Sequence, residues 1–242
     1  MKNAIVFGAT SGIGKSLTII LLKEGYRVAI TGRRLENLCT LKNEYPNQVL
    51  VKQNDIQNVK EVEKVFNEIV EEFETIDLVV QSSGVVHINP KFDWDKEAQS
   101  INTNVLGVTR LYTLVYNLFR KQQFGHLVGI SSIASIRGNR SAPVYFASKA
   151  YQKAYLESLY IKTKSIKSKQ VFITEIRPGF VATDMAITLE KGVFWLVPLE
   201  KAVKQIYTAI KKKKRVAYIS KRWQLVAWVL KIAPAWFLKK VL

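Results

Sequence analysis

The sequence predicts an α/β protein built on one doubly wound parallel sheet of about seven strands, with helices on both faces. Seven apolar runs rich in β-branched residues recur along the chain, and amphipathic helical patterns lie between them. This alternation is typical of right-handed βαβ units, which form a parallel sheet covered on both sides. The expected strands are Asn3–Phe7, Arg27–Thr31, Val49–Gln53, Asp77–Gln81, His126–Ser131, Val171–Arg177 and Arg215–Ile219.

The segments between these strands have sequence features that are typical of helices. Gly25 stands where a helix C-terminal glycine is expected, directly before the second strand. Two long helices are expected over Gln99–Gln122 and Val144–Lys167. Another helix precedes the fourth strand, where one apolar stripe repeats at steps of three and four residues and comprises Val59, Val62, Phe66, Ile69 and Phe73.

Composition limits the class of protein. A chain of 242 residues that is 48% hydrophobic forms one sizeable core, without room for a second domain beside a seven-stranded sheet. We therefore expect one domain over residues 1–220 and an apolar, basic extension over residues 221–242. Cys39 cannot form an internal disulfide and is expected to pack within a helix, which favours a reducing, cytoplasmic location. His87 and His126 are isolated, so no metal site is expected, and His126 is interpreted as a loop or strand-edge residue.

A glycine-rich turn follows the first strand directly. Residues 8–14 read Gly-Ala-Thr-Ser-Gly-Ile-Gly, and an amphipathic helix comes next. Glycines there allow a tight turn and let backbone N–H groups approach a pyrophosphate at the helix N-terminus, where the dipole favours anions. An ordinary βα turn is the alternative, but the order of strand, turn and helix favours dinucleotide binding. We assign that role to Gly8, Thr10, Ser11, Gly12, Ile13 and Gly14.

Three polar residues form a second constellation. Tyr145 and Lys149 are four residues apart, and Ser132 lies thirteen residues before Tyr145 at the end of an apolar run. On a helix the first two share a face, so the ammonium can lie near the phenol. A nearby cation lowers the pKa of a phenol from its usual value of about 10, and a serine hydroxyl can bind the reacting oxygen. A solvated helix face is the alternative for the pair alone, but together the three residues indicate proton transfer to a carbonyl oxygen.

With both features in place, the chain resembles the short-chain dehydrogenase/reductase family from about Lys2 to Ile219. Besides the glycine turn and the Ser, Tyr and Lys constellation, the matching residues are Asp55, Asn104, Pro178, Gly179, Val181 and Thr183. The resemblance implies a Rossmann-like fold, Tyr145 as general acid/base, and Lys149 as both a ribose ligand and the group that lowers the tyrosine pKa. Ser132 would polarise the substrate carbonyl, and Asn104 would anchor a water in a proton relay.

The resemblance also implies further cofactor contacts and an assembly. The cofactor contacts would come from Asp55, Ile56, Ser83, Gly84, Tyr145, Lys149, Pro178, Gly179, Val181 and Thr183. A homodimer or tetramer would form through the two long helices. One departure from the family pattern is Gln81-Ser82-Ser83-Gly84, where the family usually has Asn-Asn-Ala-Gly. We expect this change to affect the local bracing of the sheet more than the reaction chemistry.

The end of the second strand indicates which cofactor is bound. An enzyme that uses NAD places an acid there to hold the ribose 2′-hydroxyl. This chain has Arg33 and Arg34 and no acid. Arginine pairs with phosphate through two hydrogen bonds, so the sequence favours NADP(H) over NAD, with a merely solvated basic turn as the alternative.

The composition of the segment after Thr183 indicates which kind of substrate is bound. It is apolar, which favours a hydrophobic, lipid-like carbonyl substrate under a closing loop. Between Thr183 and Glu190 there is no Lys or Arg that would hold a small anion. A helix that packs on the core is the alternative. The apolar residues are Met185, Ile187, Leu189, Val193, Phe194, Trp195, Leu196 and Val197.

The C-terminal part is unusually basic. Residues 200–242 carry twelve Lys or Arg and one acid, which is +11 of the net charge of +18. Trp223–Ala233 is largely apolar and is followed by Pro234 and a Trp- and Lys-rich end. No apolar run reaches the roughly 18 residues of a membrane span, and with the first strand at Asn3 no signal peptide is expected. The tail therefore lies on a membrane surface, docks on a second subunit, or covers the substrate pocket.

The sequence thus predicts an NADPH-dependent reductase of a hydrophobic ketone or aldehyde, with two alternatives. One is a non-catalytic dinucleotide-binding or scaffold protein, which the complete set of Asn104, Ser132, Tyr145 and Lys149 argues against. The other is a protein that binds anionic membranes or nucleic acid through its basic tail. Nucleic acid is disfavoured because no DNA- or RNA-binding motif accompanies the charge.

Overall fold

The computed structural model describes residues 1–187, 195–234 and 236. Within this part of the chain, seven parallel strands form one sheet: β1 (Asn3–Phe7), β2 (Arg27–Gly32), β3 (Val49–Gln53), β4 (Leu78–Gln81), β5 (Phe124–Ile130), β6 (Gln170–Pro178) and β7 (Val216–Ile219). Their order is β3-β2-β1-β4-β5-β6-β7. The predicted fold class is confirmed. The strand order reverses direction between β1 and β4, and a crevice at such a point is where ligands bind in doubly wound sheets.

Helices connect the strands and cover both faces of the sheet. They are α1 (Gly12–Lys23), α2 (Leu35–Glu44), α3 (Val59–Phe73), α4 (Trp94–Ile101), α5 (Val108–Gln122), α6 (Pro143–Lys162), α7 (Asp184–Ile187), α8 (Leu199–Lys211) and α9 (Lys221–Ile232). One face packs against α1, α2, α8 and α9, and the other packs against α3, α5 and α6. None of the helices in the described ranges is long and apolar enough to cross a membrane.

The sheet is buried on both faces because its strands alternate between two cores. On β1, Ala4 and Val6 belong to the core beneath α1, whereas Ile5 and Phe7 belong to the core beneath α5. All four side chains are fully buried. This is why the strands read as continuous apolar runs and not as alternating patterns.

The two long helices expected from the sequence differ from the structure in their internal form or their end. The segment predicted as one helix over Gln99–Gln122 contains a π-helical stretch, Asn102–Gly107, between α4 and α5. Gly107 passes close to the chain after β3, where a Cβ would lie 2.0 Å from the carbonyl oxygen of Ile56. The other helix, predicted over Val144–Lys167, ends at Lys162 and continues as a 3₁₀ turn. Such π stretches inside α-helices are common at functional sites.

Two residue environments differ from the sequence prediction. Cys39 is exposed and not packed, because the buried face of α2 is formed by Leu38 and Leu41. His126 is not at a strand edge. It lies inside β5, is 7% exposed, and places Nε2 2.7 Å from Oγ1 of Thr174. Burial, assisted by the charge of Lys213, lowers the pKa of His126 to about 4, so the imidazole is neutral at pH 7.

Candidate active site

The polar segments identified in the sequence meet at one edge of the sheet. The glycine turn follows β1, Ser83 and Gly84 follow β4, Ser132 follows β5, and Gly179 follows β6. These four strands are consecutive neighbours, and all are parallel. Their carboxyl ends therefore bring the four segments together along one crevice.

The glycines of the first turn are required by close approaches of the backbone. Gly8 has a φ of +87°, and a Cβ there would lie 2.6 Å from the backbone nitrogen of Ser83. At Gly14 a Cβ would lie 2.0 Å from the carbonyl oxygen of Gly8. Gly12, with a φ of +52°, is the first residue of α1. The turn therefore presents the N-terminus of a helix at the crevice, as anion binding requires.

Arg34 lies against this turn. Its Nη2 donates hydrogen bonds to the hydroxyl oxygens of Thr10 at 2.9 Å and Ser11 at 2.7 Å. Arg33 is exposed, and its carbonyl oxygen accepts a hydrogen bond from Nε2 of Gln53 at 2.9 Å. The guanidinium of Arg34 is thus held at the edge of the site, beside the loop that would contact a phosphate. Ile13, in the first turn of α1, is half-buried.

The loops after β3 and β4 lie at the same edge of the sheet as the glycine turn. Asp55 Oδ1 accepts the N–H of Gln57 at 3.1 Å, and Ile56 is 6% exposed. A Cβ on Gly84 would contact Oδ1 of Asn104 at 3.4 Å and Nζ of Lys149 at 3.5 Å. Gly84 therefore lies at the junction between the cofactor segments and the proposed catalytic residues.

Gln81, which stands where the family usually has asparagine, braces the end of β4 and the loop after it. Its side chain is fully buried at the end of β4. Nε2 donates to the carbonyl oxygen of Ser83 at 2.5 Å, and Oε1 accepts the hydroxyl of Tyr112 at 3.3 Å. The Gln81 side chain thus bonds within the loop after β4 and also links that loop to α5.

The three residues of the proton-transfer constellation lie together. Tyr145 and Lys149 are on α6, and Ser132 precedes a 3₁₀ turn after β5. The Ser132 hydroxyl lies near the phenol of Tyr145 and acts on its pKa by hydrogen bonding. Nζ of Lys149 lies 5.9 Å from the centre of the tyrosine ring. The geometry therefore places a hydroxyl donor, a phenol and a cation around one point of the crevice.

The pKa of Tyr145 is raised, which corrects the direction expected from the Tyr–Lys spacing. Burial raises it, and the hydrogen bond from Ser132 opposes the rise only in part. Burial also lowers the pKa of Lys149 to about 8, against the attraction of the Glu175 carboxylate. The spacing predicted a pair governed by charge, but desolvation is the larger effect for both groups. The phenol is therefore protonated at neutral pH, as a proton donor must be.

Asn104 connects the loop after β4 to α6. Its Oδ1 accepts the N–H of Val85 at 3.0 Å, and its Nδ2 donates to the Val85 carbonyl oxygen at 2.8 Å and to Ser148 Oγ at 3.2 Å. Its own carbonyl oxygen accepts from Nε2 of Gln152 at 2.7 Å. The sequence analysis missed Gln152, although its place seven residues after Tyr145 puts it on the same helical face.

The segment after β6 closes the crevice beside the glycine turn. A Cβ on Gly12 would lie 3.3 Å from the methyl carbon of Thr183. Val181 is 4% exposed and forms a β-bridge with Val197. Gly179 directly follows Pro178, and a Cβ there would lie 2.0 Å from the indole of Trp223. This segment therefore packs between the proposed cofactor site and α9.

The apolar segment predicted to close over substrate is described only at its two ends. Met185, Trp195 and Leu196 are 40%, 48% and 50% exposed, whereas Val197 is buried. Leu189, Val193 and Phe194 lie outside the described residues. Trp195 lies 6.2 Å from Trp223, measured between ring centroids, and Trp223 is in turn 5.5 Å from Phe180. Exposed apolar groups therefore stand beside the segment that borders the crevice.

Arg137, five residues after Ser132, connects the loop after β5 to the last helix. Its Nε donates to the carbonyl oxygen of Leu230 at 2.7 Å, and its Nη2 donates to those of Lys231 at 2.8 Å and Ala233 at 3.2 Å. These carbonyls belong to the C-terminal end of α9, where unpaired oxygens and the helix dipole attract a cation. The extension thus contacts the same loop that carries Ser132.

Comparison with known sequences identifies the family. A profile described as short chain dehydrogenase matches residues 2–193. The chain belongs to the short-chain dehydrogenase family. One relative of this short-chain dehydrogenase is a Myxococcus xanthus protein named as an uncharacterized oxidoreductase. The two are 31% identical over 229 residues, which cover 93% of this chain and 88% of the relative. A 3-oxoacyl-[acyl-carrier-protein] reductase of Bos taurus is 27% identical over 192 residues, covering 78% of this chain and 80% of that protein.

Solved structures share the fold. A short chain dehydrogenase from Burkholderia cenocepacia in complex with NADP matches with a TM-score of 0.84 and 20% identity, covering 100% of this short-chain dehydrogenase and 99% of the other chain. An actinorhodin polyketide ketoreductase variant with NADPH matches with a TM-score of 0.72 and 26% identity, covering 95% and 90% of the two chains. A Burkholderia phymatum relative in complex with NAD matches with a TM-score of 0.82 and 18% identity, covering 94% and 92%.

Proposed function

We propose that this short-chain dehydrogenase is an NADPH-dependent carbonyl reductase that converts a ketone or aldehyde on a hydrophobic, lipid-like molecule to the alcohol, in a reversible reaction. The observation that carries the proposal is the juxtaposition of Ser132, Tyr145 and Lys149 beside the glycine turn. A bound nicotinamide cofactor would supply hydride to the carbonyl carbon. Ser132 would donate a hydrogen bond to the carbonyl oxygen, and Tyr145 would transfer a proton to it.

The residues around the crevice fit such a cofactor. The close approaches at Gly8 and Gly14 leave a bare backbone at the N-terminus of α1 for a pyrophosphate. Arg34 beside that loop, and Arg33 next to it, would hold an adenosine 2′-phosphate, since no acid ends β2. Lys149 would bind the nicotinamide ribose. Several solved relatives contain NADP or NADPH, which supports the choice of NADP(H), and one contains NAD.

A hydrophobic substrate is supported by the surface around the site. Met185, Trp195 and Leu196 are exposed apolar side chains next to the segments that border the crevice. The named relatives include a 3-oxoacyl-[acyl-carrier-protein] reductase and a polyketide ketoreductase, both of which act on carbonyl groups. We therefore place long-chain 3-oxo compounds among the substrates to be tested first.

Assembly into a homodimer or tetramer is part of the proposal. The helices expected to form the interface are the α4–α5 segment and α6. Exposed apolar residues on or next to these helices support this choice, because burial against a second copy would remove them from water. They are Ile101, Leu106, Tyr151, Tyr160 and Ile161.

The proposed activity is tested with a panel of carbonyl compounds that includes long-chain 3-oxo and steroid-like ketones. We expect NADPH absorbance at 340 nm, the usual nicotinamide band, to fall with at least one hydrophobic ketone and to fall more slowly with NADH. NADPH binding is measured in parallel by fluorescence. Binding without turnover on any compound would support the non-catalytic alternative, and no binding of either cofactor would contradict the proposal altogether.

We further propose that α9 lies on an anionic membrane surface and brings the site close to a lipid-soluble substrate. One side of the helix is buried through Trp223 and Ala227. The other side carries an exposed apolar stripe at helical spacing: Leu225, Trp228, Val229 and Ile232. Lys221 and Lys231 are also exposed on this helix. Each basic residue near an anionic surface adds about 1 kcal/mol to binding, screened by salt.

Surface substitution tests membrane binding better than removing the extension. Truncation before Trp223 would delete a side chain that is 2% exposed and packs on Gly179, so it would disturb the core. The double variant Trp228→Ser, Ile232→Ser removes two side chains that are 61% and 64% exposed. We expect it to stop sedimenting with anionic vesicles while reducing a small water-soluble ketone at the wild-type rate. The matched control is Trp94→Ser on α4, which removes a tryptophan that is 71% exposed.

Two outcomes would contradict membrane binding. One is equal sedimentation of the double variant and wild type with anionic vesicles. The other is a changed oligomeric state of the double variant in solution, which would assign the stripe to an interface with a second subunit. Raised salt should weaken the binding of the wild-type protein, because the charges concerned are exposed.

A further inference from the structure

The side chain of Gln152 is hydrogen-bonded at both its oxygen and its nitrogen, next to the proposed catalytic residues. It lies on α6 and is fully buried. Its Oε1 accepts a hydrogen bond from Nζ of Lys149 at 3.1 Å. Its Nε2 donates to the carbonyl oxygen of Asn104 at 2.7 Å. One carboxamide thus bridges the lysine and the π-helical segment across 48 residues of sequence.

The orientation of this amide is fixed by its partners. An ammonium only donates hydrogen bonds and a backbone carbonyl only accepts them, so the amide oxygen must face Lys149 and the amide nitrogen must face Asn104. Nζ of Lys149 also donates to the Ile130 carbonyl oxygen at 3.1 Å. Two of the three N–H donors of the lysine are therefore held by protein acceptors, from α6 and from β5.

We infer that Gln152 takes the place that the family resemblance gives to a water molecule: it positions the ammonium of Lys149 and closes the proton path behind it. This inference rests on the proposed function for its catalytic meaning, but not for its geometry. Asn104, which would anchor such a water, is paired through its carbonyl oxygen with the carboxamide, and Lys149 is paired with the other end of the same amide.

The difference between an amide and a water is chemical. A water accepts a proton on one side and releases another, so it passes protons along a chain. The amide nitrogen of glutamine is a donor that does not release its proton near neutral pH. Proton supply to Tyr145 therefore comes from the crevice side, through the cofactor ribose or solvent, and not from the interior behind Lys149.

The charge state of Lys149 depends on all of its surroundings. The titratable and charged groups around it are Tyr145 on the same helix and Glu175 on β6, and the Glu175 carboxylate is itself paired with Arg177. The neutral acceptors of the ammonium are the Gln152 amide oxygen and the Ile130 carbonyl oxygen. Loss of its oxygen removes stabilisation of the ammonium and lowers the pKa of Lys149, whereas the carboxylate of Gln152→Glu would raise it.

Two variants separate positioning from packing. Gln152→Leu keeps the approximate volume but removes both hydrogen bonds. Gln152→Ala opens room for a water between two polar partners, Lys149 and the Asn104 carbonyl. We expect Gln152→Leu to lower kcat about tenfold, the scale of one lost hydrogen bond to a charged group, with little change in KM for the ketone. Gln152→Ala should recover most of this loss and show a larger solvent deuterium effect than wild type.

A second readout needs neither cofactor nor substrate. Lys149 has a pKa of about 8 in the folded protein and an ordinary value of 10.5. Between these values the unfolded chain binds more protons, so stability against denaturant rises with pH. In Gln152→Leu the rise should begin at lower pH. The loss of stability relative to wild type should be largest below neutral pH, where Lys149 is charged in both proteins, and should shrink as pH rises through the folded pKa of about 8. The matched control is Tyr155→Phe, also on α6, which removes a hydroxyl that lies 3.2 Å from Oγ1 of Thr113 on α5.

The outcomes are distinguishable. The same pH dependence of stability in wild type and Gln152→Leu would overturn the inference, as would equal kcat in both. A Gln152→Ala variant as impaired as Gln152→Leu would show that no water replaces the amide, which would also overturn it. If wild type reduces no ketone, the proposed function fails, but the stability experiment still decides whether Gln152 sets the charge of Lys149.

Discussion

Tyr145→Phe is expected to lower ketone reduction about a thousandfold, the scale of a lost general acid, and to leave NADPH affinity unchanged. Only a hydroxyl is lost, and it is the one hydrogen-bonded to Ser132 beside Lys149. The ring keeps its contact with Phe146, whose centroid is 5.8 Å away, so the fold should be retained. Turnover is measured by NADPH absorbance, and binding is measured by fluorescence titration.

The matched control is Tyr151→Phe on the same helix. Its hydroxyl is 2.7 Å from Thr109 Oγ1 on α5, so its loss should barely change the rate. A Tyr145→Phe variant that turns over at a near-normal rate would contradict the assignment of Tyr145 as the acid. Loss of NADPH binding in that variant would instead indicate that the hydroxyl is needed to form the cofactor site.

Arg34→Ala is expected to weaken NADPH binding by about ten- to a hundredfold, the value of a lost charge-assisted hydrogen bond, with little effect on NADH. The guanidinium is held at the glycine turn by Thr10 and Ser11, on the side where β2 ends without an acid. Arg33→Ala is expected to act in the same direction, and the double variant should lose more than either. Dissociation constants for both cofactors are measured by fluorescence at one fixed salt concentration.

Salt must be fixed because exposed charges are screened. Arg120→Ala, at the exposed C-terminal end of α5, controls for the general loss of one positive charge. Equal weakening of NADPH and NADH by Arg34→Ala would mean that this side chain does not reach a 2′-phosphate. In that case the choice between the two cofactors would be made elsewhere in the crevice.

The fold could be predicted from the sequence because its signals are local. A strand buried on both faces must be a continuous apolar run, as β1 is, and each run marked a strand to within two residues. The grouping of Ser132, Tyr145 and Lys149 was also predictable, because helical periodicity places two of them on one face and strand order brings the third beside them.

The features that could not be predicted depend on contacts between distant segments. Gln152 meets Asn104 only after α6 packs on the π-helical stretch, and a π-helical stretch has no periodic pattern of its own. The raised pKa of Tyr145 reflects burial, which residue spacing does not report. Cys39 was misplaced because neighbouring positions on a helix differ by about 100° in direction, so one position decides between core and solvent.

The hydrogen bonds from Arg137 to the end of α9 make two distant parts of the chain one cooperative unit. The loop that carries Ser132 cannot open without losing the carbonyl partners at residues 230, 231 and 233, and α9 cannot detach without freeing that loop. By reciprocity, the seated helix stabilises the closed loop by the same coupling free energy with which the closed loop stabilises the seated helix. A ligand on the outer face of α9 and a ligand in the crevice would therefore bind with linked free energies, although no ligand need touch both.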